Sequence, residues 1–488
     1  MLTAAGSRRW PAERSPLGAA FETRRRGWKL ARGTVLLAAL ALAQPVMGQY
    51  RQPNSPTPTP APSRPGPAPT TPIIPPATKG GSPQTPSPAA TTNSADSIID
   101  KVIKLKNTTP WTLNVEVRVS PQQLFDSNRK PTNESMKIES AAVVFPLPKV
   151  TAGSECLDGD TTSELNFNGK SVDSTPKLNE GYPAGTRLLR WEMRNQEGRN
   201  MILKLAVRMR CSETVFDEKL AMTVPWPTEW PAEAASCFKP TWYLDYQHDP
   251  QEKGAQDVLL EAQLKDWLNK ADPKSMPPAK LAKILMGKIQ ETVSPNGDGL
   301  KFNGNSSLQG ITVQYPPETL RLINSPNLKR TPPRGTEVDI AQALTAMCRV
   351  AGLPARTVIG WDVSEGSGST SYLDRAQGTE KLRAWTEFAL IDPPTKKIVW
   401  VPMDPVRQRK SGNRAKAIDR PWEYFGNNQD LDMVMPIAFQ LAPPTTVAFH
   451  GSPAFWGWLV TPEFPQADQA VRFTSFQTAN RGDKKPGK

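Results

Sequence analysis

Gly335-Thr336-Glu337-Val338-Asp339-Ile340-Ala341-Gln342-Ala343-Leu344-Thr345-Ala346-Met347-Cys348-Arg349-Val350-Ala351-Gly352-Leu353-Pro354-Ala355-Arg356 carries most of the fold information in this chain. Ala341, Leu344, Thr345 and Cys348 recur at helical spacing, so a helix is expected over about 336–351 with those side chains inward. Gly352 ends it, because glycine takes the left-handed backbone of a helix terminus without steric cost. Strands are expected next, over 355–361, 384–391 and 398–403.

Upstream of this block the pattern is helical twice more. Val258, Leu259, Ala262, Leu264, Trp267 and Leu268 mark one helix. Pro277-Pro278 opens a second, with Leu281, Ile284, Leu285 and Ile289 on one face, and the polar stretch 298–333 reads as loop. Closer to the N-terminus the period changes from 3.6 to two. Trp111, Leu113, Val115, Val117 and Val119 alternate with polar residues, as do Leu203, Leu205, Val207, Met209 and Cys211 with Lys204, Ala206, Arg208 and Arg210. Between them lie the apolar stretch 141–145 and a hairpin signal, Asn168-Gly169. Short strands and frequent turns predict an antiparallel β-sandwich over 97–235, closed off where Pro225, Pro227 and Pro231 interleave with Trp226 and Trp230.

Farther out, residues 49–96 are rich in Pro, Thr and Ser, with almost nothing apolar to nucleate a core, and are expected to stay extended as a linker. In residues 1–48, Arg24, Arg25, Arg26, Lys29 and Arg32 precede an apolar run over 34–43 and the small residues Val46 and Gly48. That layout predicts a secretory signal peptide cleaved after Gly48. An apolar run of about ten residues is half of what spans a bilayer, so membrane contact is expected only through this segment before cleavage. The chain carries +13 at pH 7, but residues 1–48 hold 8 basic and 2 acidic side chains, which leaves +7. With no basic stripe carrying stacking aromatics, nucleic acid is not an expected partner.

The chain has 4 Cys and 2 His. Cys156, Cys211 and Cys237 allow three pairings in an oxidising compartment, and spacing does not choose among them. So few His residues argue against a metal site, and no cofactor motif is present.

Three ordered blocks resemble one family. The quoted stretch is similar to the transglutaminase-like superfamily signature, in which a Gly-x-Cys segment opens a helix ending in Arg-x-x-Gly-Ile-Pro-Ala-Arg. Arg383-Ala384-Trp385-Thr386-Glu387-Phe388 resembles its His-Ala-Trp-x-Glu strand, and Trp400-Val401-Pro402-Met403-Asp404-Pro405 its Trp-x-x-x-Asp-Pro strand. The resemblance runs from about Tyr243 to Pro405 and implies a papain-like core, helices packed on an antiparallel sheet. The expected fold class is α+β: the sandwich over 97–235, then a transglutaminase-like core over 236–410. Strands and aromatic loops over 411–480 should pack on that core, and a basic tail occupies 481–488.

The resemblance places the catalytic Cys of the family on Glu337 and its His on Arg383, and keeps its Asp as Asp404. Trp385, Glu387 and Trp361 are expected along the cleft. A carboxylate is a poor nucleophile toward an amide, and a guanidinium, with a pKa above about 12, cannot shuttle protons. The minus-plus pattern survives, however. Glu337 at a helix N-terminus, where an anion is favoured, is expected to pair with Arg383, with Asp404 gripping the guanidinium from the other side. Cys348, eleven residues after Glu337 on the apolar side, reads as packed core.

The function implied is that of an exported, periplasmic or extracellular protein without acyl-transfer activity, binding peptide, protein or cell-wall material. The alternative is an active hydrolase or acyl transferase with a non-standard site around Glu337 and Asp404. Aromatic clusters at Pro421-Trp422-Glu423-Tyr424-Phe425-Gly426 and Pro453-Ala454-Phe455-Trp456-Gly457-Trp458 are expected mainly to cover the core of their own domain.

Overall fold

The computed structural model describes residues 97–121, 126–131, 135–172, 175–180, 183–238, 250–295, 314–322, 333–364, 371–372, 382–392, 394–410, 417–439, 457–461 and 467–478. The expected leader, linker and basic tail, both His residues and most of the second aromatic cluster lie outside the described residues.

From Ser97 a short helix, α1 (Ile98–Val102), leads into β1 (Ile103–Pro121), β2 (Met136–Pro146), β3 (Ser154–Cys156), β4 (Thr162–Phe167), β5 (Lys170–Ser171), β6 (Lys177–Asn179), β7 (Leu188–Gly198) and β8 (Met201–Phe216). Helices follow as α2 (Glu218–Ala221), α3 (Pro250–Trp267) and α4 (Pro278–Thr292), then β9 (Ser294–Pro295), α5 (Pro316–Thr319) and β10 (Arg334–Gly335). The quoted stretch forms α6 (Glu337–Val350) and β11 (Ala355–Asp362). After it come β12 (Ser371–Tyr372), β13 (Leu382–Ile391), β14 (Ile398–Met403), α7 (Pro405–Lys410), β15 (Val434–Phe439), β16 (Gly457–Thr461) and β17 (Ala467–Gln477). The described residues are thus a mixture of helix and mostly antiparallel sheet, β9 and β10 pairing in parallel.

The period-two runs fold as their alternation dictates. Trp111, Leu113, Val115, Val117 and Val119 are all buried on one face of β1, and Leu203, Leu205, Val207 and Met209 likewise on β8, which pairs with it. Each such side chain contributes roughly 1.5–3 kcal/mol by leaving water. Asn168 and Gly169, at φ 52° and 79°, form the tight hairpin joining β4 and β5. One sheet runs β12-β17-β1-β8-β4-β5 with β3 beside β8, and a second runs β16-β2-β7-β6. Trp111 and Leu205 of the first share an apolar cluster with Val143 and Trp191 of the second.

The C-terminal stretch divides where the sequence pointed to one destination. β15 joins the core sheet beside β11, whereas β16 pairs with β2 and β17 pairs along β1 from Trp111 to Pro121. An unpaired β1 edge would leave a row of backbone donors and acceptors, and β17 satisfies them. Trp361 of β11 stacks on Phe473 of β17, ring centroids 5.2 Å apart, so the apolar cluster continues from sheet to core. The described residues from Ser97 on belong to one compact unit.

The core sheet runs β14-β13-β11-β15, with α6 against it. A buried hydroxyl cluster joins them: Thr345 Oγ1 lies 2.8 Å from Thr357 Oγ1 and 3.2 Å from Thr386 Oγ1, and Thr386 donates to the Ala341 carbonyl at 2.8 Å. In α3 Leu260 and Leu264 are buried, as is Leu268 just beyond it, while Val258 is 61% exposed. Cys156, Cys211, Cys237 and Cys348 are free and buried, so none of the three contemplated pairings is made.

Candidate functional site

Glu337 is the first residue of α6, after the N-cap Thr336. A capping box orders this turn. Thr336 Oγ1 accepts from the Asp339 amide, and Asp339 Oδ2 accepts from the Thr336 amide at 2.8 Å. Asp339 Oδ1 also accepts from the Gln314 amide at 2.8 Å. Burial pushes the Asp339 carboxyl above its ordinary range, and these amides only partly offset that. Gly335 is required by contact: a Cβ there would stand 2.8 Å from the Asp339 Cβ.

Arg383 lies on β13, 2% exposed. Its Nε donates to Asp404 Oδ2 at 2.9 Å and its Nη2 to Asn428 Oδ1 at 3.2 Å, with Asp430 Oδ2 3.8 Å from Nη1. Asp404, 1% exposed, directly follows β14 and accepts from the Arg407 amide at 2.8 Å through its other oxygen. The Arg383–Asp404 half of the expected arrangement is therefore present.

The Glu337–Arg383 half is replaced. Glu337 Oε1 takes Lys410 Nζ at 2.7 Å, and Arg383 donates to Asp404 and Asn428, with Asp430 3.8 Å away as a longer-range ion pair. The reason lies in α7: after Asp404-Pro405 it projects Arg407 and Lys410 back toward the start of α6, and Lys410 reaches the carboxylate first. Arg407 is the hub of the cluster. It pairs with Asp362, and although burial opposes its charge, Asp362, Asp404, Glu337 and Asp430 outweigh that effect and raise its pKa. Glu337 and Asp404 thus act on a cation that sequence reasoning did not single out. Its only signal was the basic run beginning at Arg407.

Trp361, Trp385 and Glu387, expected to line a cleft, are buried at 0%, 1% and 0% exposure, which corrects that assignment. Glu387 is a junction piece. It pairs with Arg356 at 2.8 Å and accepts from Trp385 Nε1 at 3.1 Å and from the Ala152 amide at 2.8 Å. Arg356 lies 3.9 Å from the Trp400 ring centroid and 4.1 Å from that of Phe439, and donates to the Val150 carbonyl. A buried carboxylate needs this many partners to offset its desolvation. The network ties the core sheet to the loop preceding β3, and Trp361 turns to the other side of β11, onto Phe473.

The chemistry available at the cluster follows from these partners. Cys348 is buried, and desolvation pushes its thiol up to about 12, so it supplies no thiolate at neutral pH. Tyr424, hydrogen-bonded to Asp430 at 2.9 Å, is pushed up to about 12 by burial and that bond, so it stays a phenol. Asp404 and Glu337 are held as partners of cations. Among the described residues no group of three or more His, Cys, Asp or Glu side chains is placed to hold a metal ion. The first aromatic cluster packs inward, with Trp422 and Phe425 at 2% and 0% exposure.

Comparison with known proteins bears on the same segment. No curated protein matches the chain. A Cytophaga hutchinsonii structure described as a cysteine-protease candidate is 12% identical, covers 78% of this chain and 94% of its own, and has a TM-score of 0.43. The periplasmic domain of TgpA from Pseudomonas aeruginosa, bound to ethylmercury, is 12% identical over 63% of this chain and 92% of its own, with a TM-score of 0.25. The family model described as the transglutaminase-like superfamily matches residues 316–405. That span holds α6, β11, β13 and β14 with Glu337, Arg383 and Asp404, and through it the chain carries a domain of the transglutaminase-like superfamily.

Proposed function

We propose that this is an exported protein whose transglutaminase-like domain does not catalyse acyl transfer and serves as a binding or structural module for peptide, protein or cell-wall material outside the cytoplasm. The observation that carries this reading is the partnering of the triad-equivalent positions. Glu337 is paired with Lys410, and Arg383 is buried among Asp404, Asp430 and Asn428. Acyl transfer by the family route needs a thiolate beside an imidazole that moves a proton to the leaving amine, and neither group stands at these positions. Export rests on the charged and apolar layout of residues 1–48. Among the described residues no helix is long and apolar enough to cross a membrane.

The test is an assay of the purified chain from residue 49 against peptide, ester and amine-acceptor panels, beside Glu337→Ala and Arg383→Ala. No turnover above background is expected from any of the three. Turnover in the parent chain that both substitutions abolish would sink the reading, since it would place working chemistry at the cluster.

A further inference from the structure

The outward face of β17, β1, β8 and β4 carries a groove of about 440 Å³, and its lining follows from the strand register. The inward residues of β1 and β8 fill the apolar cluster, so the residues between them point out. Thr474, Asn114, Ala206 and Thr162 stand side by side across the four strands and form the floor, because all four are short. The neighbouring row, Arg472, Glu116, Lys204 and Glu164, is long and makes one wall. Two residues the other way along β8, Arg208 donates to Asp160 at 2.9 Å. Phe476, 51% exposed, lies on the same face of β17 as Thr474. The groove therefore runs across the strands, not along them.

Its chemistry is polar without net charge. The wall alternates cation and anion, and its charges are matched within the face: Glu116 accepts from Arg118 Nε at 2.5 Å, and Lys204 Nζ lies 4.0 Å from Glu164 Oε2. The floor differs. Among the described residues the side chains of Asn114, Thr162 and Thr474 make no hydrogen bond, and together they offer an amide and two hydroxyls, each able to donate and accept. A peptide strand is poorly served here. The backbone groups of β1 and β8 are spent in ladders on both sides, and strand addition uses an edge. A sugar chain is well served, because its hydroxyls both donate and accept and its ring face stacks on an aromatic side chain. Four strands about 4.8 Å apart span about 14 Å, the length of roughly three pyranose units.

We propose that this groove binds an uncharged glycan laid across β17, β1, β8 and β4, with its hydroxyls bonded to Asn114, Thr162 and Thr474 and one ring against Phe476. The site uses none of the residues around Glu337 and stands whether or not that cluster binds anything.

Isothermal titration of the chain from residue 49 with cellohexaose, chitohexaose and mannohexaose tests this, beside hexalysine and a galacturonate hexamer as charged controls. At least one neutral hexasaccharide is expected to bind, with an affinity indifferent to salt. Asn114→Ala with Phe476→Ala should weaken that binding at least about tenfold. Ala206→Phe, which fills the floor, should abolish it. Both variants should keep the parent circular dichroism, since the altered side chains face outward. Failure of all three neutral sugars to bind, binding of a charged control alone, or binding that survives Ala206→Phe overturns the proposal.

Discussion

At the residue scale, the two ion pairs of the cluster differ in what surrounds them, and their costs should differ accordingly. Arg383 and Asp404 have side chains 2% and 1% exposed. Arg383→Met leaves Asp404 buried without its cation and should cost about 3–5 kcal/mol in urea unfolding. Lys410 is 59% exposed, and Lys410→Met should cost no more than about 1 kcal/mol, because water replaces the lost partner of Glu337. Equal costs would refute the assignment of Arg383 as the anchored member. Glu337, Arg383 and Asp404 were singled out through ordered motifs, but Asn428, Asp430, Arg407 and Lys410 were not. They come from a loop and a six-residue helix whose local sequence carries no periodic signal.

At the element scale, α6 depends on its first turn. Thr336→Ala removes the cap that accepts from the Asp339 amide and should lower stability by about 1 kcal/mol in thermal or denaturant unfolding. Asp339 predicts a pH effect with a definite sign. Burial raises its pKa above the ordinary 3.8, so the folded state favours the protonated carboxyl. Its contribution is full below that ordinary value and is lost as pH rises through the raised one. Asp339→Asn, which cannot ionise, should flatten the stability curve across this window. It should also lower stability throughout by about 1–3 kcal/mol, because an amide NH₂ cannot accept from the second backbone N–H. A curve that keeps the parent slope there would exclude Asp339 as its source. The helix was readable from the spacing of Ala341, Leu344, Thr345 and Cys348, while the run from Val258 to Leu268 marked a helix without fixing which side faces the core.

At the scale of the whole molecule, β17 and β16 close the sheets that β1 and β2 begin. A chain ended at Phe439 would uncover the β1 edge and strip Phe473 from Trp361. Each large apolar side chain returned to water costs roughly 1.5–3 kcal/mol, against a total stability of only about 5–15 kcal/mol. Such a chain should therefore unfold at a much lower temperature and bind a hydrophobic dye. A melting curve matching the full chain would show that the core stands without its C-terminal strands. The Arg356–Glu387 network, reaching Val150 and Ala152, works in the same direction by fastening the core sheet to the β-rich region.

The sequence by itself determined the elements: the period-two runs of β1 and β8, the helix that Glu337 opens, the Asn168-Gly169 hairpin, and three motif blocks in family order. These depend on interactions among neighbours a few residues apart, which local spacing records. The tertiary structure alone decided that Lys410, not Arg383, holds Glu337, that Trp361, Trp385 and Glu387 are buried, and that β17 pairs with β1 more than 300 residues earlier. Ion-pair partners and strand neighbours are fixed by which charges and which unpaired edges the folded chain brings within a few ångströms. Competition among several acceptable partners leaves no trace in spacing.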